Sequence, residues 1–276
     1  MASGRGPTPE IGRVLAVMSG KGGVGKSTVS ALLAVALRRA GHEVGLLDAD
    51  ITGPSIPRLF GIRERLVAVA GGVVPAMTSS GIKVVSMNLL LEREDQAVVW
   101  RGPLIGSAIR RFWEEVIWGE LDTLVVDLPP GTADAALTVM QTIPLNGVVL
   151  VTSPQELAGV VVRKAADMTN QMRVPVIGLI ENMSYLACPR CGEHLQPFGP
   201  SHAAEIADEL GVPLLGRLLI DPEIARLGDA GGMESYESRA AAAIAERALS
   251  LARTEQTRPM FGEGRRPAGR ATAPAP

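Results

Sequence analysis

The chain has 276 residues, which suits one large α/β domain or two small ones. A formal net charge of −2 argues against sequence-independent binding to nucleic acid. Hydrophobic residues make up 46% and aromatic residues only 3%, so the core has to be aliphatic, as in parallel strands covered by helices. No apolar run approaches the roughly 18 residues that span a bilayer, and Met1–Pro9 is small and polar, unlike a signal peptide. A cytoplasmic protein with no membrane or nucleic-acid partner is expected.

Residues 1–12 read as a flexible lead. Residues 13–253 alternate short aliphatic runs with helical patterns, the signature of repeated βαβ units. The predicted strands are Val14–Met18, Val44–Leu47, Val84–Met87, Thr123–Asp127, Val148–Thr152, Val176–Ile180 and Leu214–Gly216. The predicted helices are Lys26–Ala40, Leu104–Val116, Ala135–Thr142, Gln155–Met172, Ala203–Leu210, Glu223–Asp229 and Arg239–Ala252. Gly41 is placed to end the first helix in a left-handed conformation. Residues 254–276, rich in Arg, Pro, Gly and Ala, lack the large apolar groups that would order them, and a disordered tail is expected. The fold class is therefore α/β: three layers, with a mostly parallel sheet flanked by helices. Ligands should sit at the carboxyl ends of its strands.

The first such end carries Gly20-Lys21-Gly22-Gly23-Val24-Gly25-Lys26-Ser27-Thr28. Glycines there let successive backbone N–H groups face phosphate oxygens, and the helix that follows adds the partial positive charge of its N-terminus. Lys26 is placed to reach the β- and γ-phosphates and Ser27 to ligate Mg²⁺. A second cation, Lys21, is more than one nucleotide needs, which suggests a separate electrostatic task in phosphoryl transfer. Asp48 and Asp50 follow the next strand on one face; one would order the Mg²⁺ shell, and Asp50, further out, would orient the attacking water. Asp127 ends another aliphatic strand and fits the Mg²⁺-linked Asp of a nucleotide site, with Gly131 placed to offer its N–H to the γ-phosphate.

Cys188 and Cys191 are the only cysteines, at CxxC spacing in a loop. Zinc and [4Fe-4S] clusters both want about four ligands, so one pair is half a site. Three arrangements stay open: two chains each donating a pair, zinc within one chain using His194 and His202, or a redox dithiol.

These segments resemble the Mrp/ApbC family of iron–sulfur cluster carrier ATPases, in the wider class that includes MinD, ParA and the nitrogenase iron protein. Residues 21–28 look like that class's deviant Walker A sequence, and Asp48 to Pro57 is similar to the family's switch I. Trp100-Arg101-Gly102-Pro103, Trp118 to Asp122, Asp127 to Thr132, and Gly178 to Ser184 followed by Cys188 and Cys191 resemble family signatures. The resemblance implies a P-loop NTPase acting as a slow, switch-like ATP hydrolase, in which Lys21 acts across a homodimer that holds ATP at its interface. It also implies a [4Fe-4S] cluster bridged between the two cysteine pairs, adenine read at Asn182, and delivery to apo iron–sulfur proteins, with assembly scaffolds as further partners. Two departures stand out: Ala133 replaces a usual Gly, and Phe198 to Ala203 replaces a usual Gly-rich run. A MinD/ParA-like positioning switch is the alternative function; it leaves the cysteine pair unexplained.

Overall fold

The computed structural model describes residues 10–50, 53–90, 102–131, 134–155 and 157–252. The expectations for residues 1–9, Ile51, Thr52, Trp100, Arg101, Thr132, Ala133 and the 254–276 tail fall outside them. No helix among the described residues is long and apolar enough to cross a membrane.

In chain order the strands are β1 Glu10–Ser19, β2 Val44–Asp48, β3 Val67–Val69, β4 Gly72–Val74, β5 Ala76–Met77, β6 Lys83–Ser86, β7 Glu120–Asp127, β8 Gly147–Thr152, β9 Val176–Glu181, β10 Leu186–Ala187, β11 His194–Leu195 and β12 Leu214–Arg217. The helices are α1 Lys26–Arg39, α2 Ile56–Leu59, α3 Gly102–Glu114, α4 Asp134–Thr142, α5 Leu157–Gln171, α6 Ala203–Leu210, α7 Pro222–Ala230 and α8 Arg239–Leu251. Every predicted strand and helix has a counterpart. β1 starts at Glu10 instead of Val14, because Ile11 and Arg13 pair in register with Leu121 and Thr123 of β7. The expected lead is thus shorter than 1–12.

Eight strands form one sheet in the order β12-β9-β8-β1-β7-β2-β6-β5. All neighbours run parallel except β5, which returns antiparallel along β6 at the edge. The strand pattern explains the layers. Val14, Ala16 and Met18 of β1 face one side, where Ile109, Phe112, Val139, Val162 and Ile206 pack. Leu15 and Val17 face the other, against Val29, Leu33, Ile244 and Ala245. Strands buried on both faces read as continuous aliphatic runs, and Val14 to Met18 is such a run.

Two small hairpins were not foreseen, β3–β4 and β10–β11, whose strands of two or three residues are too short to show a period. The second hairpin carries the cysteines. The carboxyl ends of β1, β2, β7 and β9 meet at one rim of the sheet, so the loops that follow them share a site.

Candidate nucleotide site and cysteine loop

Residues 20–25 turn the chain from β1 into α1. Gly25 caps the helix at φ 77°, a left-handed conformation that side chains resist. A Cβ there would also come 2.3 Å from Asn182 Nδ2. That amide donates to the Val24 carbonyl at 2.9 Å, so the end of β9 buttresses the loop from behind. Gly20, Gly22 and Gly23 complete the turn, and Lys21, Gly22, Gly23, Gly25, Lys26, Ser27, Thr28 and Asp50 together line a cavity of about 260 Å³.

Two of the expected residues, Lys26 and Ser27, converge on the carboxylate of a third, Asp127. Lys26 Nζ donates to Asp127 Oδ1 at 2.8 Å and to Ser27 Oγ at 3.2 Å. Ser27 Oγ donates to Asp127 Oδ2 at 2.6 Å. Ser30, which sequence reading passed over, donates to Asp127 Oδ1 at 2.7 Å. It sits one helical turn beyond Lys26, and that spacing was the available signal. Asp127 and Lys26 are both buried, so the lysine charge and two hydroxyls compensate the carboxylate.

Asp48 is buried and hydrogen-bonded through both carboxylate oxygens. Its Oδ1 accepts from the Asp50 N–H at 3.2 Å, and its Oδ2 from the N–H groups of Ser55 and Ile56 and from Ser86 Oγ at 3.1–3.2 Å. It thereby holds the start of α2 against the end of β2. Burial, and then the charge of Asp127 in register beside it, push Asp48 up to about 8; the Ile56 N–H, Lys26 and Ser86 oppose this. Asp50 does face the phosphate cavity, with Oδ2 3.9 Å from Lys26 Nζ and Oδ1 accepting from the Gly53 N–H.

Gly131 closes onto the neighbouring strand. Its N–H donates to the Ser19 carbonyl at 2.9 Å, joining the loop after β7 to the end of β1, so in this structure it is not offered to a phosphate. Lys21 Nζ donates to Gln155 Oε1 at 2.6 Å on the surface. Thr28 lies at the rim where the phosphate cavity adjoins a larger one of about 550 Å³, to which Asn182 belongs.

β10 and β11 pair through Leu186 with Leu195 and Ala187 with His194, which folds Cys188–Glu193 into a tight turn. The Cys188 N–H donates to Glu193, and the Gly192 N–H returns to Cys188. Gly192 takes φ 75°, which this turn requires of it. Cys188 is half-buried and Cys191 exposed. The backbone N–H groups of Arg190 and Cys191, then the Cys191 thiol, draw the Cys188 thiol below its ordinary range. The histidines do not join them. His194 stacks on Tyr185 with ring centroids 4.0 Å apart, and His202 pairs with Glu205 at 2.9 Å. No group of three or more His, Cys, Asp or Glu side chains among the described residues could hold a metal ion. Zinc held within one chain by the two cysteines and the two histidines is therefore not formed.

The family model for the NUBPL iron-transfer P-loop NTPases matches residues 10–254. The chain belongs to that family. An iron–sulfur cluster carrier protein of Clostridium perfringens is 44% identical over 234 residues, covering 82% of each chain. Another, from Methanocaldococcus jannaschii, is 45% identical and covers 80% of this chain and 77% of its own. A cytosolic Fe-S cluster assembly factor Nubp2 homolog of Anopheles gambiae is 43% identical, covering 80% of this chain and 88% of its own. Among solved structures, a nucleotide-binding protein from Archaeoglobus fulgidus in complex with ADP is 47% identical with a TM-score of 0.75, covering 83% of this chain and 90% of that one. The cell division ATPase MinD of Pyrococcus furiosus, 24% identical at a TM-score of 0.62 over 86% of this chain and 97% of its own, shares the fold. Residues 20–28 and the cysteine hairpin both lie inside the stretch that the family model matches.

Proposed function

We propose that this chain is a cytoplasmic, ATP-dependent iron–sulfur cluster carrier that works as a homodimer, taking a [4Fe-4S] cluster as cargo and passing it to apo-proteins. The observation that carries this reading is the hairpin turn. It presents two thiols, one drawn toward thiolate, and among the described residues no third ligand stands near them. A thiolate pair is half of a cluster site, and a second copy of the same turn would supply the other half. A positioning switch would use the same phosphate site but would leave this turn without a task.

In the ATPase half, Lys26 rests on Asp127 and is released toward phosphate oxygens as the nucleotide enters. Ser27 and Asp127 fit Mg²⁺, since their oxygens already converge at 2.6 Å; that ion neutralises phosphate charge when bound. Asp50 faces the cavity and would orient the attacking water. Lys21 lies at the surface, held by one hydrogen bond to Gln155, and would serve the nucleotide of the second chain. Gly131 would leave Ser19 to meet a γ-phosphate, so that ATP and ADP hold the loop after β7 differently.

The test is anaerobic reconstitution with iron and sulfide, followed by metal counting, absorbance and mass in solution. One cluster shared by two chains is expected, with none in Cys188→Ser/Cys191→Ser. Bound zinc with no iron, or full cluster content in the double variant, would sink the carrier reading.

A further inference from the structure

Phosphate contacts alone do not say which wall of the site touches the base. The larger cavity, about 550 Å³, shares Thr28 and Ser55 with the phosphate cavity and is lined mainly by apolar groups, among them Leu59, Ile220 and Met233. Asn182 and Met183 line it at the end of β9, and Phe198 lines it from the loop beyond the cysteines. Phe60 and Phe112 are core residues, whereas Phe198 leaves 42% of its surface in water. An aromatic ring at the mouth of an apolar cavity next to a nucleotide grip offers a stacking face for a planar base.

The loop that carries this ring is tied down at both ends by one buried carboxylate. Glu181 accepts from Ser184 on one side and from Ser201 Oγ at 3.0 Å on the other, with Arg217 Nε 3.6 Å away. Two residues after Glu181, Met183 holds φ 56°, in the left-handed region rare outside glycine, just where the chain leaves Asn182 for the cysteine hairpin. Phe198 follows Cys191 by seven residues within this tethered segment.

We propose that Phe198 packs on the face of the bound purine, which makes the cysteine-bearing loop part of the nucleotide site. The inference rests on the nucleotide reading above. A bound base would restrain the loop through Phe198, and the cysteine turn would sense whether the site is filled.

The experiment titrates ADP and pyrophosphate calorimetrically into the wild-type chain, Phe198→Ala and Phe198→Trp. Phe198→Ala should weaken ADP by about tenfold while leaving pyrophosphate unchanged, and Phe198→Trp should restore ADP binding. Iodoacetamide labelling of Cys188 and Cys191 should slow with ADP in the wild type and not in Phe198→Ala. Unchanged ADP affinity in Phe198→Ala, equal loss for ADP and pyrophosphate, or labelling indifferent to ADP in the wild type would each overturn the inference. A wild-type chain that binds pyrophosphate but shows no ADP preference would overturn it as well. Failure to bind either ligand would sink the nucleotide reading itself, and the inference with it.

Discussion

Lys26 and Asp127 lie 101 residues apart in the chain and 2.8 Å apart in space, both buried, with Ser27 and Ser30 donating to the same carboxylate. The lysine proposed to meet phosphate and the carboxylate proposed to meet Mg²⁺ thus neutralise each other in the nucleotide-free chain. On the proposed reading, an entering nucleotide would exchange this pairing for contacts to its phosphates.

Removing one partner leaves the other buried and charged. Lys26→Ala should lose nucleotide binding and destabilise the fold by about 3 kcal/mol, the scale for breaking a buried pair. Lys26→Ala/Asp127→Ala should recover part of that stability without recovering binding. Chemical denaturation of the single and double variants, read as a cycle, checks the coupling.

Gly25→Ala combines a strained left-handed conformation with a Cβ set against the Asn182 amide. It should lose about 1–2 kcal/mol of stability. Asn182→Ala should relieve the crowding while leaving the backbone strain, so the double variant should recover only part of the loss. Thermal unfolding of both variants and the pair measures the two contributions.

Lys21→Ala should spare ATP affinity yet slow hydrolysis by about 10³-fold if the lysine serves charge in the transition state of a partner's nucleotide. Mixing it with a Lys26→Ala chain supplies the check. In a mixed dimer the intact Lys21 would face the intact phosphate loop, so activity should reappear. Mixtures that stay inactive would count against a role across the dimer.

Asp48 keeps its proton in the folded chain up to about 8, against an ordinary value of 3.8 when unfolded. Between those values the native state binds more protons than the unfolded state, so stability should fall as pH rises from about 4 to about 8 and level off beyond. Asp48→Asn keeps the side chain neutral and should flatten that slope. Urea denaturation of the nucleotide-free chain across this range gives the comparison.

At Cys188 the lowered thiol should alkylate at pH values where an ordinary cysteine is already protonated, its midpoint lying below the usual 9.0. A mass-resolved pH profile with iodoacetamide reads it. Arg190→Pro removes the N–H that is the first of the lowering contacts, and the Cys188 profile should then move toward higher pH.

The large elements were legible because each is a long run of one period. Val14–Met18 is a short aliphatic run closed by a Gly-rich loop, which fits a doubly buried strand, and Lys26 onward repeats apolar residues along a helix. The cysteine hairpin was not legible: its strands are two residues each, and Tyr185 stacking on His194 is a contact across it that no period announces. Phe198 was visible only as a departure from a Gly-rich run. Its place beside Asn182 depends on how the loop returns to Glu181.

What the residues determine alone is chemistry tied to local spacing: a phosphate loop between strand and helix, a CxxC pair, and carboxylates at strand ends. Such motifs work through neighbours in the chain, so order along the chain suffices to read them. Partnership was decided by the tertiary structure. Burial in the sheet, and then the β2–β7 register that sets Asp48 beside Asp127, raise its proton affinity, while its oxygens accept from Ser55, Ile56 and Ser86. The same packing commits the Gly131 N–H to Ser19 and keeps both histidines away from the thiols. A hydrogen bond or ion pair depends on distances of a few ångströms, and only the folded sheet brings groups so far apart in sequence within that range.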